Sequence, residues 1–139
     1  MSISIEFRRL SKYGRGWLDA RTCQSVATIV LRAVKAQIDR KTLSVVMVGP
    51  VKMASLARHR GKRAATDVLA FGLNAPMLGE IFLCPRVINV RARAWGRTPA
   101  AHTRALFVHG LLHLLGYDHT RGKDAAEMER VEQRILQKF

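Results

Sequence analysis

The sequence predicts a mixed α/β (α+β) domain, about four strands with helices packed on them, and three observations carry that expectation. Segments of period-two or continuous β-branched character alternate with segments whose apolar residues recur at helical spacing. The 139 residues suit one domain spanning 1–139. Hydrophobic residues make up 48% of the chain, enough to bury a core without a disulfide or structural metal and too many for a disordered protein.

Taken in order, Ile3, Ile5 and Phe7 alternate with polar neighbours and read as a half-buried strand. Val26, Ile29, Val30, Ala33, Val34 and Ile38 recur at helical spacing and predict a long amphipathic helix reaching about Asp39. Leu43 to Val48, closed by Gly49-Pro50, reads as a buried strand, followed by a short helix over Lys52 to Arg58 and a basic loop from Arg58 to Arg63. Asp67 to Phe71 and Met77 to Leu83 read as strands around a turn at Gly72 to Pro76. Helices follow at about Arg86 to Trp95, Ala100 to Leu115 and Ala125 to Lys138, the last with Asp124 as N-cap and Glu127 at capping-box spacing. Trp95 and Phe107, both on helices, read as core residues rather than stacking platforms.

No apolar run approaches the roughly 20 residues of a membrane span, and Met1 to Leu10 lacks the apolar centre of a signal peptide. Cys23 and Cys84 form no CxxC pair and read as buried small hydrophobes in a reducing compartment, so a cytoplasmic protein is expected. The formal charge is +14, and Arg40 to Tyr117 holds 12 basic residues against Asp67 and Glu80 alone. Such a field favours a polyanion, with RNA the commonest in a cytosol, although a solvated basic surface is the plainer alternative.

The chemistry concentrates in His109-Gly110-Leu111-Leu112-His113-Leu114-Leu115-Gly116-Tyr117-Asp118-His119. His109 and His113 are one helical turn apart on one face. Gly116 can adopt φ > 0, end the helix and let His119 return toward them. Three imidazoles with one open position describe a catalytic zinc site rather than a closed structural one. Zinc so held polarises a phosphoryl or carbonyl oxygen and lowers the pKa of its water. The spacing is that of the metzincin proteases, but those carry a glutamate general base where this chain has Gly110, which argues against peptide hydrolysis.

That stretch resembles the signature H-G-x-L-H-L-x-G-Y-D-H of the YbeY-type endoribonucleases, matching it throughout and including Gly110. Thr66-Asp67-Val68-Leu69-Ala70-Phe71 is similar to the family's T-D-V-L-S-F block, His59-Arg60-Gly61-Lys62 to its Y-R-G-K element, and Leu78-Gly79-Glu80-Ile81 to its L-G-D-I strand. Glu127-Met128-Glu129 echoes its acidic C-terminal helix. The departures are His59, Ala70, Glu80, Ala57 and Ala65, none of them a metal ligand.

The resemblance implies a zincin-like fold, one Zn2+ held by His109, His113 and His119, and cleavage of single-stranded RNA in ribosomal RNA maturation, at the 3′ end of the small-subunit RNA, and in ribosome quality control. It carries the family's functional arginine to Arg60, whose guanidinium suits phosphate oxygens and charge developing at phosphorus. The implied partners are ribosomal RNA and the small subunit or an associated GTPase, with no DNA and no membrane. Arg58, Lys62 and Arg63 would track the backbone or serve as solvated loop charges, and Asp118 would orient a ligand imidazole or close a local turn. His102 serves near the start of its helix rather than as a fourth ligand. Two other functions stay open: an RNA- or ribosome-binding protein with a structural metal, and a metal-dependent hydrolase of another substrate.

Overall fold

The computed structural model describes residues 2–117 and 122–139. Its elements run β1 (Ile3–Arg9), α1 (Ala20–Ala33), β2 (Lys41–Met47), α2 (Pro50–Arg58), β3 (Val68–Gly72), β4 (Met77–Leu83), α3 (Pro85–Ala94), α4 (Pro99–Leu114) and α5 (Gly122–Leu136). The four strands form one mixed sheet in the order β1-β2-β4-β3, so the expected α/β architecture is observed. β1 and β4 flank β2 in parallel, and β3 closes one edge antiparallel to β4.

The central strand explains itself by composition. Leu43 to Val48 is buried on both faces, the near-continuous apolar run expected of a covered parallel strand. Alternate residues serve different cores. Leu43, Val45, Met47, Ile81 and Leu83 pack with α1, α4 and α5, while Val46, Val48 and Phe82 pack with Met53 and Ala57 of α2. Ser44 and Glu80 lie on the second face, where Ser44 Oγ donates to Glu80 Oε2 at 2.7 Å and Arg8 pairs with the same carboxylate at 3.3 Å. Both cysteines are buried and free, and burial pushes the Cys23 thiol up to about 12. Among the described residues, no helix is long and apolar enough to cross a membrane.

Three sequence expectations are corrected. The first helix stops at Ala33 rather than near Asp39: Lys35 adopts φ 53 and the N–H of Ala36 reaches the Leu31 carbonyl at 3.0 Å, a left-handed helix stop without glycine. Ala36 and Ile38 still pack on the core, which is why their spacing looked helical. Asp124 lies inside the first turn of α5, which begins at Gly122, so it is not the N-cap. Trp95 is 60% exposed at the end of α3, not core, whereas Phe107 is fully buried as expected.

Candidate metal centre

α4 is built to hold its histidines in place. Thr98 caps it, its Oγ1 accepting from the Ala101 N–H at 3.2 Å, and Pro99 occupies the first turn, where no N–H is needed. At the other end Gly116 takes φ 99, and the N–H of Tyr117 returns to the Leu112 carbonyl at 3.0 Å, the stop anticipated from sequence. In between, buried Gly110 lies against β4. A Cβ there would stand 3.3 Å from Ile81 side-chain carbons, so the helix sits on the sheet at a distance that leaves little room for a larger side chain.

His109 and His113 therefore project together. Their Nε2 atoms are 3.1 Å apart and their rings cross at 80°. Two nitrogens each about 2.0–2.1 Å from a tetrahedral ion would be about 3.3 Å apart, so the pair fits two corners of a zinc site. The Nδ1–H of His109 donates to Glu132 Oε1 of α5 at 2.6 Å. Because a carboxylate only accepts, this bond places a proton on Nδ1, so Nε2, beside His113, is the nitrogen with which His109 would ligate. Among the described residues no third His, Cys, Asp or Glu joins the pair as a metal group. His119, the third expected ligand, and Asp118 lie outside the described residues.

Both histidines open into a cavity of about 680 Å³ floored by edge strand β3 and lined also by Arg60, Lys62, Asp67 and Arg91. Arg60 reaches it because the chain reverses after α2: Gly61 takes φ 72 and the N–H of Lys62 returns to the Ala57 carbonyl at 3.0 Å. The guanidinium lies 4.3 Å from the centroid of the Phe71 ring and donates to the Ala70 carbonyl of β3. One cation is thereby held against Phe71 and the β3 backbone in the lining that the imidazoles share, with donors left for an anion. Arg58, His59 and Arg63 are exposed, and Arg63 and Arg58 do not line the cavity.

Asp67 organises the other wall. Its Oδ2 lies 2.9 Å from Arg91 Nη1 and 3.9 Å from His102 Nε2. His102 is 2% exposed, and neither ring nitrogen has a hydrogen-bond partner among the described residues. Burial pushes its pKa below the ordinary imidazole value, with Arg97 and Arg91 acting in the same direction and Asp67 opposing. It stands in the first turn of α4, away from the His109–His113 pair, in keeping with its expected place near the helix start.

Sequence reasoning missed Glu132 and Arg91. Each is brought to the site by a tertiary contact, from α5 and from α3 respectively, and neither stands in a recognisable spacing with the residue it meets. Glu132 carried one weak signal, the acidic character of the last helix.

A family model described as endoribonuclease YbeY matches residues 15–139. The endoribonuclease YbeY of Xanthomonas oryzae pv. oryzae (strain MAFF 311018) is 40% identical, covering 77% of this chain and 73% of that one. That of Stenotrophomonas maltophilia (strain K279a) is 39% identical over the same shares. The solution structure of TM1509 from Thermotoga maritima superposes with a TM-score of 0.64 at 28% identity, covering 96% of this chain and 87% of that one. The match spans the histidine helix, the basic turn and the edge strand that together build the cavity, and on that basis this chain belongs to the YbeY endoribonuclease family.

Proposed function

We propose that this protein is a zinc-dependent, single-strand-specific endoribonuclease acting in the cytoplasm on ribosomal RNA, at the 3′ end of the small-subunit RNA and in ribosome quality control. The observation that carries this reading is the convergence of two imidazole Nε2 atoms and the Arg60 guanidinium on one cavity. Family membership supplies the reaction class, and the +14 charge suits a phosphodiester polymer. The small ribosomal subunit or an associated GTPase would bring the enzyme to its substrate.

In this reading His109, His113 and His119 hold the ion and leave a position open to substrate. The bound metal supplies Lewis acidity to a phosphoryl oxygen and to water. His109 is kept in the ligating tautomer by Glu132. Arg60 binds the scissile phosphate and stabilises the charge that develops there, its ring contact with Phe71 limiting its freedom. Gly110 offers no proton-transfer group, and the buried packing of Gly110 on Ile81 makes that position part of the fold rather than of the chemistry.

The test compares wild type with His113→Ala on a labelled single-stranded RNA, both purified side by side to expose contaminating ribonuclease. Wild type is expected to cut and the variant to bind without cutting; equal cutting by both overturns the proposal. One observation favours a second function, a binding protein with a structural metal: the His109–Glu132 bond joins α4 to α5 beside the site. Such a protein keeps its RNA affinity and never cuts, with or without a chelator.

A further inference from the structure

Trp95 is exposed at the C-terminal end of α3, the helix that brings Arg91 to the cavity lining. α3 carries Arg91 into the cavity, and Trp95 follows four residues later, its N–H bonded to the Arg91 carbonyl at 3.1 Å. Just over one turn of helix separates the two, a rise of about 6 Å. The next residue, Gly96, takes φ 66 and the N–H of Arg97 returns to the Ala92 carbonyl, so α3 ends here and the indole is not covered by a continuing helix.

A large ring at 60% exposure forgoes apolar burial. An edge contact holds the ring: it meets the His102 imidazole at 5.2 Å between centroids and 80°. His102 in turn lies 3.9 Å from Asp67, which grips Arg91. The indole is thus linked through His102 to Asp67 of the cavity lining while its surface stays open to solvent.

The charged side chains near it along the chain are basic. Arg97 lies 5.9 Å from the Trp95 ring, Arg93 is on the same helix, and no acidic residue occurs in the sequence between Glu80 and Asp118. An aromatic face among arginines matches the chemistry of a single-stranded nucleic acid, in which an unstacked base covers the ring and its phosphates meet the cations.

We infer that Trp95 is a base-stacking platform for single-stranded RNA, receiving a nucleotide next to the one held at the Arg60–His109–His113 cavity, with the exposed Arg97 beside the ring meeting its phosphate. This rests on the RNA-cleaving reading above and extends it to a named substrate contact. A duplex, whose bases are already stacked, gains nothing from the indole.

The experiment measures binding of a fluorescein-labelled single-stranded RNA and of a duplex of the same composition by anisotropy. Wild type, Trp95→Ala, Trp95→Leu and Trp95→Phe are compared at 4 °C, with RNA integrity checked on a gel. Trp95→Ala and Trp95→Leu should weaken single-strand binding by roughly 5- to 150-fold. Trp95→Phe should keep most of it, and duplex binding should hold in all four proteins. Leucine still covers His102, so its loss of affinity reports the missing ring even if the alanine variant melts early. Single-strand binding unchanged in the leucine variant, or an equal loss on duplex and single strand, overturns the platform and leaves the nuclease reading standing. Failure of wild type to bind single-stranded RNA at all overturns both.

Discussion

Nδ1 of His109 lies 2.6 Å from Oε1 of Glu132, a bond between α4 and α5 that spans 23 residues of sequence. It decides through which ring nitrogen His109 would ligate, and it does so from a helix that contributes none of the proposed ligands. Replacing Glu132 by alanine should reduce zinc affinity by about 10- to 100-fold, with glutamine, which can still accept, losing less. Competition against a chromogenic chelator measures this directly. Unchanged affinity would mean that the bond only docks α5.

Among the described residues Arg60 is held by a carbonyl and a ring and not by a carboxylate, which leaves its charge available. Arg60→Lys keeps the charge but loses the planar fork and much of the stacking on Phe71. Its kcat on single-stranded RNA should fall by roughly 100- to 1,000-fold, with a smaller change in KM. A variant with wild-type kcat would remove Arg60 from the chemistry.

Gly79 is squeezed between neighbours. A Cβ there would stand 2.6 Å from the Phe71 carbonyl oxygen and 2.7 Å from a Leu114 methyl. The first of these is backbone of the adjacent strand and cannot swing aside. Gly79→Ala should cost about 1–3 kcal/mol and lower the thermal midpoint, because β3 or the end of α4 must move. A variant as stable as wild type in urea titration would contradict the packing described.

His102 gives stability a pH dependence. Burial lowers its folded-state pKa below the unfolded value of about 6.5, so the native protein binds fewer protons than the unfolded chain. The contribution is present above about pH 6.5 and is lost as pH falls toward the folded value. With metal removed from both proteins, the melting temperature of wild type should drop more between pH 7 and pH 5 than that of His102→Gln. Parallel curves would show that His102 takes no part.

RNA affinity should fall steeply with salt, by something on the order of 10³ between 50 and 200 mM, if several phosphates are contacted. A flat response in a salt titration would assign the basic surface to solubility instead.

Much of this could be read from the chain. Gly116 ends α4 where the histidine spacing required a stop, and Gly49-Pro50 closes β2, because turn and helix-stop chemistry is local. The end of α1 was not legible: Lys35 takes the left-handed conformation that glycine usually serves, and Ala36 and Ile38 keep an apolar pattern after the helix has stopped. Trp95 misled for a related reason, since periodicity shows which side chains could be buried but not whether a neighbour arrives to bury them.

The sequence alone determined the alternation of strands and helices, the one-turn spacing of His109 and His113 and the basic turn around Arg60, all set by interactions within a few residues. Only the tertiary structure decided that Glu132 orients His109, that Phe71 seats Arg60, that Asp67 joins Arg91 to the wall beside His102, and that Trp95 faces solvent. Those pairings depend on where the antiparallel edge strand and the helices α3 and α5 meet α4. The burial of a whole core fixes that arrangement, and no single spacing along the chain records it.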